Sequence, residues 1–264
     1  MRQVAVVIPL YRSTVSPVEA FALHNNHFVL RRYPIIVIHP EGMDLSELKE
    51  RYPRFSYRPF APKHFATLQA YNSLMLSEEF YAAFTDFDYI LIAQEDAYVI
   101  KDNLSQWCNK GYDYIGAPWV ERSVYQRFPL NWWMRYDQQR KHRRGLRCRQ
   151  DLFGHVGNGG LSLRRVQLCL KALREKQDVL LPYREIAKPF YAEDIFWALE
   201  NPDFKRPSWQ EALLFAFDKD PDYCYKLTGG QLPFGCHAAF KGKMRRFWYA
   251  IFQFEPFGKR STRY

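Results

Sequence analysis

The segment Tyr89–Ile100, YILIAQEDAYVI, decides how this chain is read. Four of its first five residues are apolar, two carboxylates follow side by side at Glu95 and Asp96, and the apolar run then resumes. An unbroken apolar run of this length is the pattern of a strand buried on both faces of a parallel sheet. An unpaired carboxylate there costs several kcal/mol or shifts its pKa until it is neutral. The acids therefore point to a metal, a cation or a reaction that needs their charge. The strand is predicted over Asp88–Ala97, with both acids at its C-terminal end. In open α/β sheets ligands bind outside the carboxyl ends of the strands. Alternation along a strand puts Gln94 and Asp96 on one side and turns Glu95 away, unless the strand has already ended. A carboxylate at Asp96 suits Mg²⁺ or Mn²⁺. The bland alternative is a pair of acids neutralised by nearby arginines.

Working outward, Val4–Pro9 and Tyr33–Pro40 read as two further buried strands. Pro17–Leu30 reads as a helix with Ser16 as its cap, Asp44–Pro53 as a short helix, and Phe65–Phe84 as a longer amphipathic one. Buried strands alternating with helices predict an α/β fold: a mostly parallel, Rossmann-like sheet flanked by helices. The pattern changes after Trp119. From Arg122 to Arg149 there are nine Lys/Arg and one acid, Asp137, together with Trp132 and Trp133, which reads as an inserted basic loop or flexible lid. Phe153–Glu175 then predicts a glycine-rich turn, a short strand and a helix, and Tyr191–Asn201 a helix with acids at its start. No internal repeat separates these parts. One domain is expected over residues 1–240, with a ligand-binding half at 1–119, the lid at 120–150 and an elaborated half at 151–240. A basic aromatic tail occupies 241–264.

The 264 residues are 47% hydrophobic and 17% aromatic, enough for a sizeable core, and the formal charge of +10 favours anionic partners. No signal peptide and no stretch of roughly 18 apolar residues is evident. The five cysteines form no CxxC pair, so reduced thiols and a cytoplasmic location are expected. Nucleic-acid binding would suit the charge and the interleaved Trp and Tyr. Acids at a strand end and at Glu193–Asp194 argue against it, because they repel phosphates. A two-metal phosphoesterase needs more ligands than Asp96, Asp194 and His237.

Three other motifs carry possible chemistry. Gly157–Gly160, GNGG, allows positive φ and close backbone approach to a ligand, or is simply a tight turn. It is neither a P-loop nor GxGxxG. Glu193 and Asp194 open an apolar helical stretch, where acids suit the helix dipole; the sharper reading is a general base. His237 stands in the loop LPFGCHAAF, as a surface histidine or as a ligand to metal or phosphate.

Taken together, YILIAQEDAYV, KGYDYIGAPW (Lys110–Trp119), GNGGLSLRR, EDIFW and PFGCHAAF resemble, in this order, an uncharacterised family of bacterial glycosyltransferase-like domains. That family is similar to GT-A glycosyltransferases, and the resemblance spans Val4–Phe240. It implies transfer from a nucleotide-sugar donor, such as a UDP-sugar, to a hydroxyl of a glycan or lipid-linked acceptor in surface polysaccharide synthesis. Where the Asp-x-Asp motif of GT-A enzymes holds Mn²⁺ or Mg²⁺, this chain reads Gln94-Glu95-Asp96, so the first Asp is absent. The resemblance implies Asp96 and His237 as metal ligands, Asp194 as the base of an inverting displacement, and Glu193 as its neighbour toward acceptor hydroxyls. Gly159 and Gly160 would border the donor sugar, and Pro9, Tyr11 and Arg12 the nucleotide. Arg135–Arg149 would close on diphosphate or an anionic acceptor. The tail, from Met244 to Phe257, would lie on the inner membrane surface or dock its aromatics on the core. No nucleic-acid partner is expected. A non-catalytic sugar-binding relative is the alternative.

Overall fold

The computed structural model describes residues 2–185 and 190–252. Among these the strands are β1 (Arg2–Pro9), β2 (Ile35–Pro40), β3 (Ser56–Phe60), β4 (Phe87–Ala93), β5 (Tyr98–Val99), β6 (Tyr114–Pro118), β7 (Val156–Arg165), β8 (Ala216–Phe217) and β9 (Gly235–Cys236). Six form one sheet in the order β3-β2-β1-β4-β7-β6. The first four run parallel, and β7 is antiparallel to both its neighbours. The sheet is thus mixed and mostly parallel. The chain winds outward from β1 to β3, then returns to the other side of β1 at β4. Such a reversal opens a crevice at the strand ends. A small second sheet, β5-β9-β8, lies beyond it.

Strand β1 shows why both faces are covered. Val4, Val6 and Ile8 join one apolar cluster with Leu23 and Leu30, while Ala5 and Val7 join another with Tyr71 and Leu74. Each fully buried aliphatic side chain contributes about 1.5–3 kcal/mol.

Several expectations change. Strand β3 was not predicted: SYRPF is short and carries Pro59, and it lies at the sheet edge, where a residue without N–H is tolerated. The helix expected over Phe65–Phe84 is two, Leu68–Met75 and Glu78–Ala82. Ser77 breaks it, because its hydroxyl accepts from Phe80 N at 3.1 Å and caps the second piece. The basic lid is not a loop throughout. It contains the helix Leu130–His142, pinned by buried Asp137 to Arg140 (3.2 Å) and Lys141 (2.7 Å). In the tail, the helix Arg245–Phe252 buries Trp248 against Phe217 and Phe252, ring centroids 6.1 and 5.1 Å apart. The described tail therefore docks its aromatics on the core, and residues 253–264 lie outside the described part. All five cysteines are free and buried. Among the described residues no helix is long and apolar enough to cross a membrane.

Candidate active site

Strand β4 ends at Ala93, earlier than predicted, and Ala97 N donates to Gln94 O at 2.8 Å in a turn. Gln94, Glu95 and Asp96 therefore stand past the strand, on the crevice. Gln94 N donates to Gly160 O at 2.9 Å, which ties the turn to β7. Pairing of β8 with β9, Phe217 beside Cys236, brings the next residues of both strands together. Those residues are Asp218 and His237, and His237 Nδ1 lies 3.0 Å from Asp218 Oδ1. The other ring nitrogen, Nε2, is 3.2 Å from both Asp96 Oδ1 and Gln94 Oε1. Lys241 Nζ reaches Asp96 Oδ2 at 2.6 Å as an ion pair.

These contacts set the charges. Burial disfavours the His237 imidazolium, but Asp218 and Asp96 outweigh it and raise its pKa to about 9. Burial likewise opposes ionisation of Asp96, yet His237 and Lys241 hold it well below the usual carboxylate range. Glu95 behaves oppositely. Burial, then repulsion by Glu19, pushes it up to about 7 against the pull of Arg12. The Arg12 guanidinium is 2.6 Å from Glu19 and 4.0 Å from Glu95. Tyr11 packs edge-on against Tyr71, centroids 5.4 Å apart. Burial, Tyr71, Glu95 and Asp96 all push its phenol up. The end of β1, which includes Pro9, thus meets the turn after β4.

Gly157, Gly159 and Gly160 lie in β7, not in a turn, and none has positive φ. Their absent side chains serve close approach instead. A Cβ on Gly160 would stand 2.2 Å from the His237 ring, and one on Gly159 2.1 Å from Glu193 Oε1. The β6–β7 register slips here, from Ile115 beside Leu163 to Ala117 beside Asn158. Such irregularities re-aim side chains next to functional sites.

Behind Gly159 begins the helix Glu193–Leu199. Glu193 is buried and accepts two hydrogen bonds from Arg164, at 2.9 and 3.0 Å. Arg164 is 0% exposed and also donates to Tyr81 Oη and Ser162 Oγ, each at 3.0 Å. Both Glu193 oxygens are therefore engaged by Arg164. Asp194 is half-buried, and its Oδ1 accepts from Ile195 N at 2.9 Å. Burial, then the Glu193 charge, pushes it up to about 7, against hydrogen bonds from the Ile195 and Gly159 backbones.

Gln94 Oε1, Asp96 Oδ1 and His237 Nε2 make a mixed oxygen and nitrogen donor set that suits Mn²⁺ or Mg²⁺. Asp218 on Nδ1 stands where an outer carboxylate would orient His237 toward a metal. His142, Cys148 and Asp151 also lie close together, with ligand atoms within 4.8 Å. Asp151 there caps Cys148 N (2.8 Å), and Arg143, Arg144, Arg147 and Arg149 crowd the segment. Sequence reasoning missed Arg164, Asp218 and Lys241. For Arg164 the signal was present in GNGGLSLRR, as an arginine two residues from Ser162 in a strand that is otherwise buried.

A family model described as Protein of unknown function (DUF5672) matches residues 54–237. No curated protein matches the chain. Among solved structures, the galactosyltransferase LgtC in complex with donor and acceptor sugar analogues is similar over 97% of this chain and 98% of that one. Its TM-score is 0.53 and its identity 12%. An active-site mutant of LgtC gives 0.52 and 14% over the same shares. Apo mouse xyloside xylosyltransferase 1 covers 90% of this chain and 97% of its own, with TM-score 0.49 and 10% identity. The likeness to LgtC concerns the fold, which is that of GT-A glycosyltransferases.

Proposed function

Because the chain belongs to the family described as Protein of unknown function (DUF5672), whose name assigns no activity, we propose its function from the site itself. It transfers a sugar from a nucleotide-sugar donor to a hydroxyl of a glycan or lipid-linked acceptor, with inversion. The observation that carries this reading is the meeting of two acid pairs across two consecutive glycines. Gly160 makes room for His237, which gathers Gln94 and Asp96, and Gly159 makes room for Glu193 beside Asp194.

Gln94, Asp96 and His237 would hold Mn²⁺ or Mg²⁺. When bound, the ion supplies positive charge for the leaving diphosphate. Arg12 and Lys241 add cations at the same crevice. Asp194 accepts the proton of the acceptor hydroxyl as that oxygen bonds to the anomeric carbon and the carbon–phosphate oxygen bond breaks. A carboxyl that titrates near 7 is matched to this task. Glu193 is a positioning residue: its pairing with Arg164 fixes the helix start that carries Asp194. Gln94 in place of a carboxylate favours a second reading, a sugar-binding relative without turnover.

A panel of nucleotide sugars, with and without Mn²⁺, tests the proposal by thermal shift, since a ligand of the folded state raises Tm. A shift with one donor that needs Mn²⁺ and vanishes in Asp96→Ala is expected. No shift with any donor would overturn the donor site. Donor binding without hydrolysis or transfer would leave the second reading.

A further inference from the structure

The helix Leu130–His142 presents a face that nothing in the described chain covers. Phe128 is 83% exposed, Trp132 63%, Trp133 57% and Tyr136 55%, and Leu130 is also exposed. Helical spacing puts Trp132, Trp133 and Tyr136 on one outward side. Trp132 stacks on Tyr136, centroids 5.8 Å apart and planes 10° off parallel, so the two rings form one flat apolar surface. The inward side carries Asp137, locked by Arg140 and Lys141. This one acid of the segment is thus buried and neutralised. Among the described residues, Arg127 before this helix and Arg143 and Arg144 after its last turn form no ion pair with any carboxylate. Large contiguous apolar surface on a soluble fold marks an interaction site. Here the chain places Arg127 at one end of that surface and Arg143 and Arg144 at the other.

We propose that this face is a docking surface for an anionic lipid bilayer. Tryptophan and tyrosine rings prefer the headgroup level, where an apolar body and a polar tip are both satisfied. Arginines beside them meet lipid phosphates, and the attraction grows with each added cation. Phe128 and Leu130 have no polar tip, so insertion into the acyl boundary suits them better than stacking on bases in a charged groove. The proposal is independent of the sugar-transfer reading, because it uses no residue of the crevice.

The test is co-sedimentation of the full chain with sucrose-loaded vesicles, either phosphatidylcholine alone or phosphatidylcholine with phosphatidylglycerol. A single-stranded RNA oligonucleotide is titrated in parallel by anisotropy. Binding to the anionic vesicles at least tenfold tighter than to neutral ones is expected, weakening with salt. Trp132→Ser/Trp133→Ser should lose at least tenfold of that affinity and keep its melting temperature, since both rings are exposed. Arg143→Gln/Arg144→Gln should lose less and show a weaker salt dependence. Brominated lipids should quench tryptophan emission in the wild type and spare the serine variant. Failure of the wild type to bind anionic vesicles, or equal binding by the serine variant, overturns the proposal. RNA binding that needs Trp132 and Trp133, without vesicle binding, overturns it in favour of nucleic acid.

Discussion

The molecule holds two acid doublets, Glu95-Asp96 and Glu193-Asp194, and in each the two members are treated differently. One acid is bound to cations: Asp96 to His237 and Lys241, Glu193 to Arg164. The other is pushed up to about 7: Glu95 in the first pair, Asp194 in the second. The cations make the difference. Arg164 is wholly buried, always charged, and spends its donors on Glu193, Tyr81 and Ser162. His237 can lose its proton, and Lys241 is an exposed ammonium on a flexible stem. A carboxylate locked by a buried arginine is architecture. A carboxylate held by replaceable cations is a place where another cation can sit. In the proposed reading, two adjacent acids thus give a support in Glu193, and candidates for chemistry in Asp194 and Asp96.

The sharpest test of this division is Asp194→Asn. If Asp194 is the base, kcat falls by about 10²–10⁴, or roughly 3–5 kcal/mol of barrier, while donor binding persists. In the wild type, kcat/KM should then rise with pH through about 7 as the carboxylate forms, and that limb should be absent in the variant. The stability sign runs the other way. A carboxyl whose folded pKa lies above its unfolded value of 3.8 costs stability once pH rises above that value, and the cost grows until about pH 7. Asp194→Asn should be more stable than wild type at pH 8, by on the order of 1–3 kcal/mol once solvent screening of this half-buried group is discounted, and gain nothing at pH 3.5. Equal activity in the variant would move the chemistry elsewhere.

Arg164→Met attacks the other half of the same doublet. It leaves Glu193 buried and unpaired, a loss of about 3–5 kcal/mol. At about 2–4 °C per kcal/mol for a domain of this size, Tm should drop by roughly 6–20 °C. Glu193→Met/Arg164→Met should recover much of it, because an apolar pair avoids the desolvation cost. If the double variant is stable and still turns over, Glu193 only supports the helix. If it is stable and inactive with donor binding intact, Glu193 itself touches the acceptor.

Asp218→Asn probes the first doublet from behind. The residue does not face the crevice donors directly but holds His237 Nδ1 at 3.0 Å. Loss of such an outer carboxylate costs about 10–100-fold in metal affinity. The expected reading is a Mn²⁺ titration of the donor-induced thermal shift displaced by that factor, with an unchanged shift where no metal is added. An unchanged Mn²⁺ titration would assign the role of the cation to Lys241 and Arg12.

These pairs also show what sequence discloses. Buried strands were legible at β1, β2 and β4 because their apolar runs are long and uninterrupted. The acids after β4 were legible because they interrupt such a run. β3 was not, since a short edge strand with a proline lacks the signal. GNGG was legible as a place of close approach but not as a strand, because glycine permits both and the neighbours that choose, His237 and Glu193, are distant in sequence. Arg164 and Asp218 escaped for the same reason. A buried ion pair is a property of two positions 29 residues apart, and neither residue alone announces it. The basic aromatic segments of lid and tail look alike in composition, yet Trp248 is buried while Trp132 and Trp133 are exposed. What separates them is the presence of a waiting apolar cluster, which composition does not record.

Glu95→Gln is the smallest and most discriminating change. Glu95 titrates near 7 through burial and Glu19 rather than through a ligand set, and its nearest cation, Arg12, is 4.0 Å away and more than half exposed. Its raised pKa costs stability as pH rises from 4.5 through about 7. Solvent screening reduces that cost to about 1 kcal/mol. Glu95→Gln should therefore melt slightly higher than wild type at pH 8.5 and equally at pH 4. Donor affinity and kcat should change by less than about threefold, a shift of roughly 0.6 kcal/mol. A loss as large as that of Asp96→Ala would mean that Glu95 turns toward the donor when it binds. The turn after β4 would then deliver both acids to the ligand, and the division of labour within that doublet would fail while that of Glu193 and Asp194 stood.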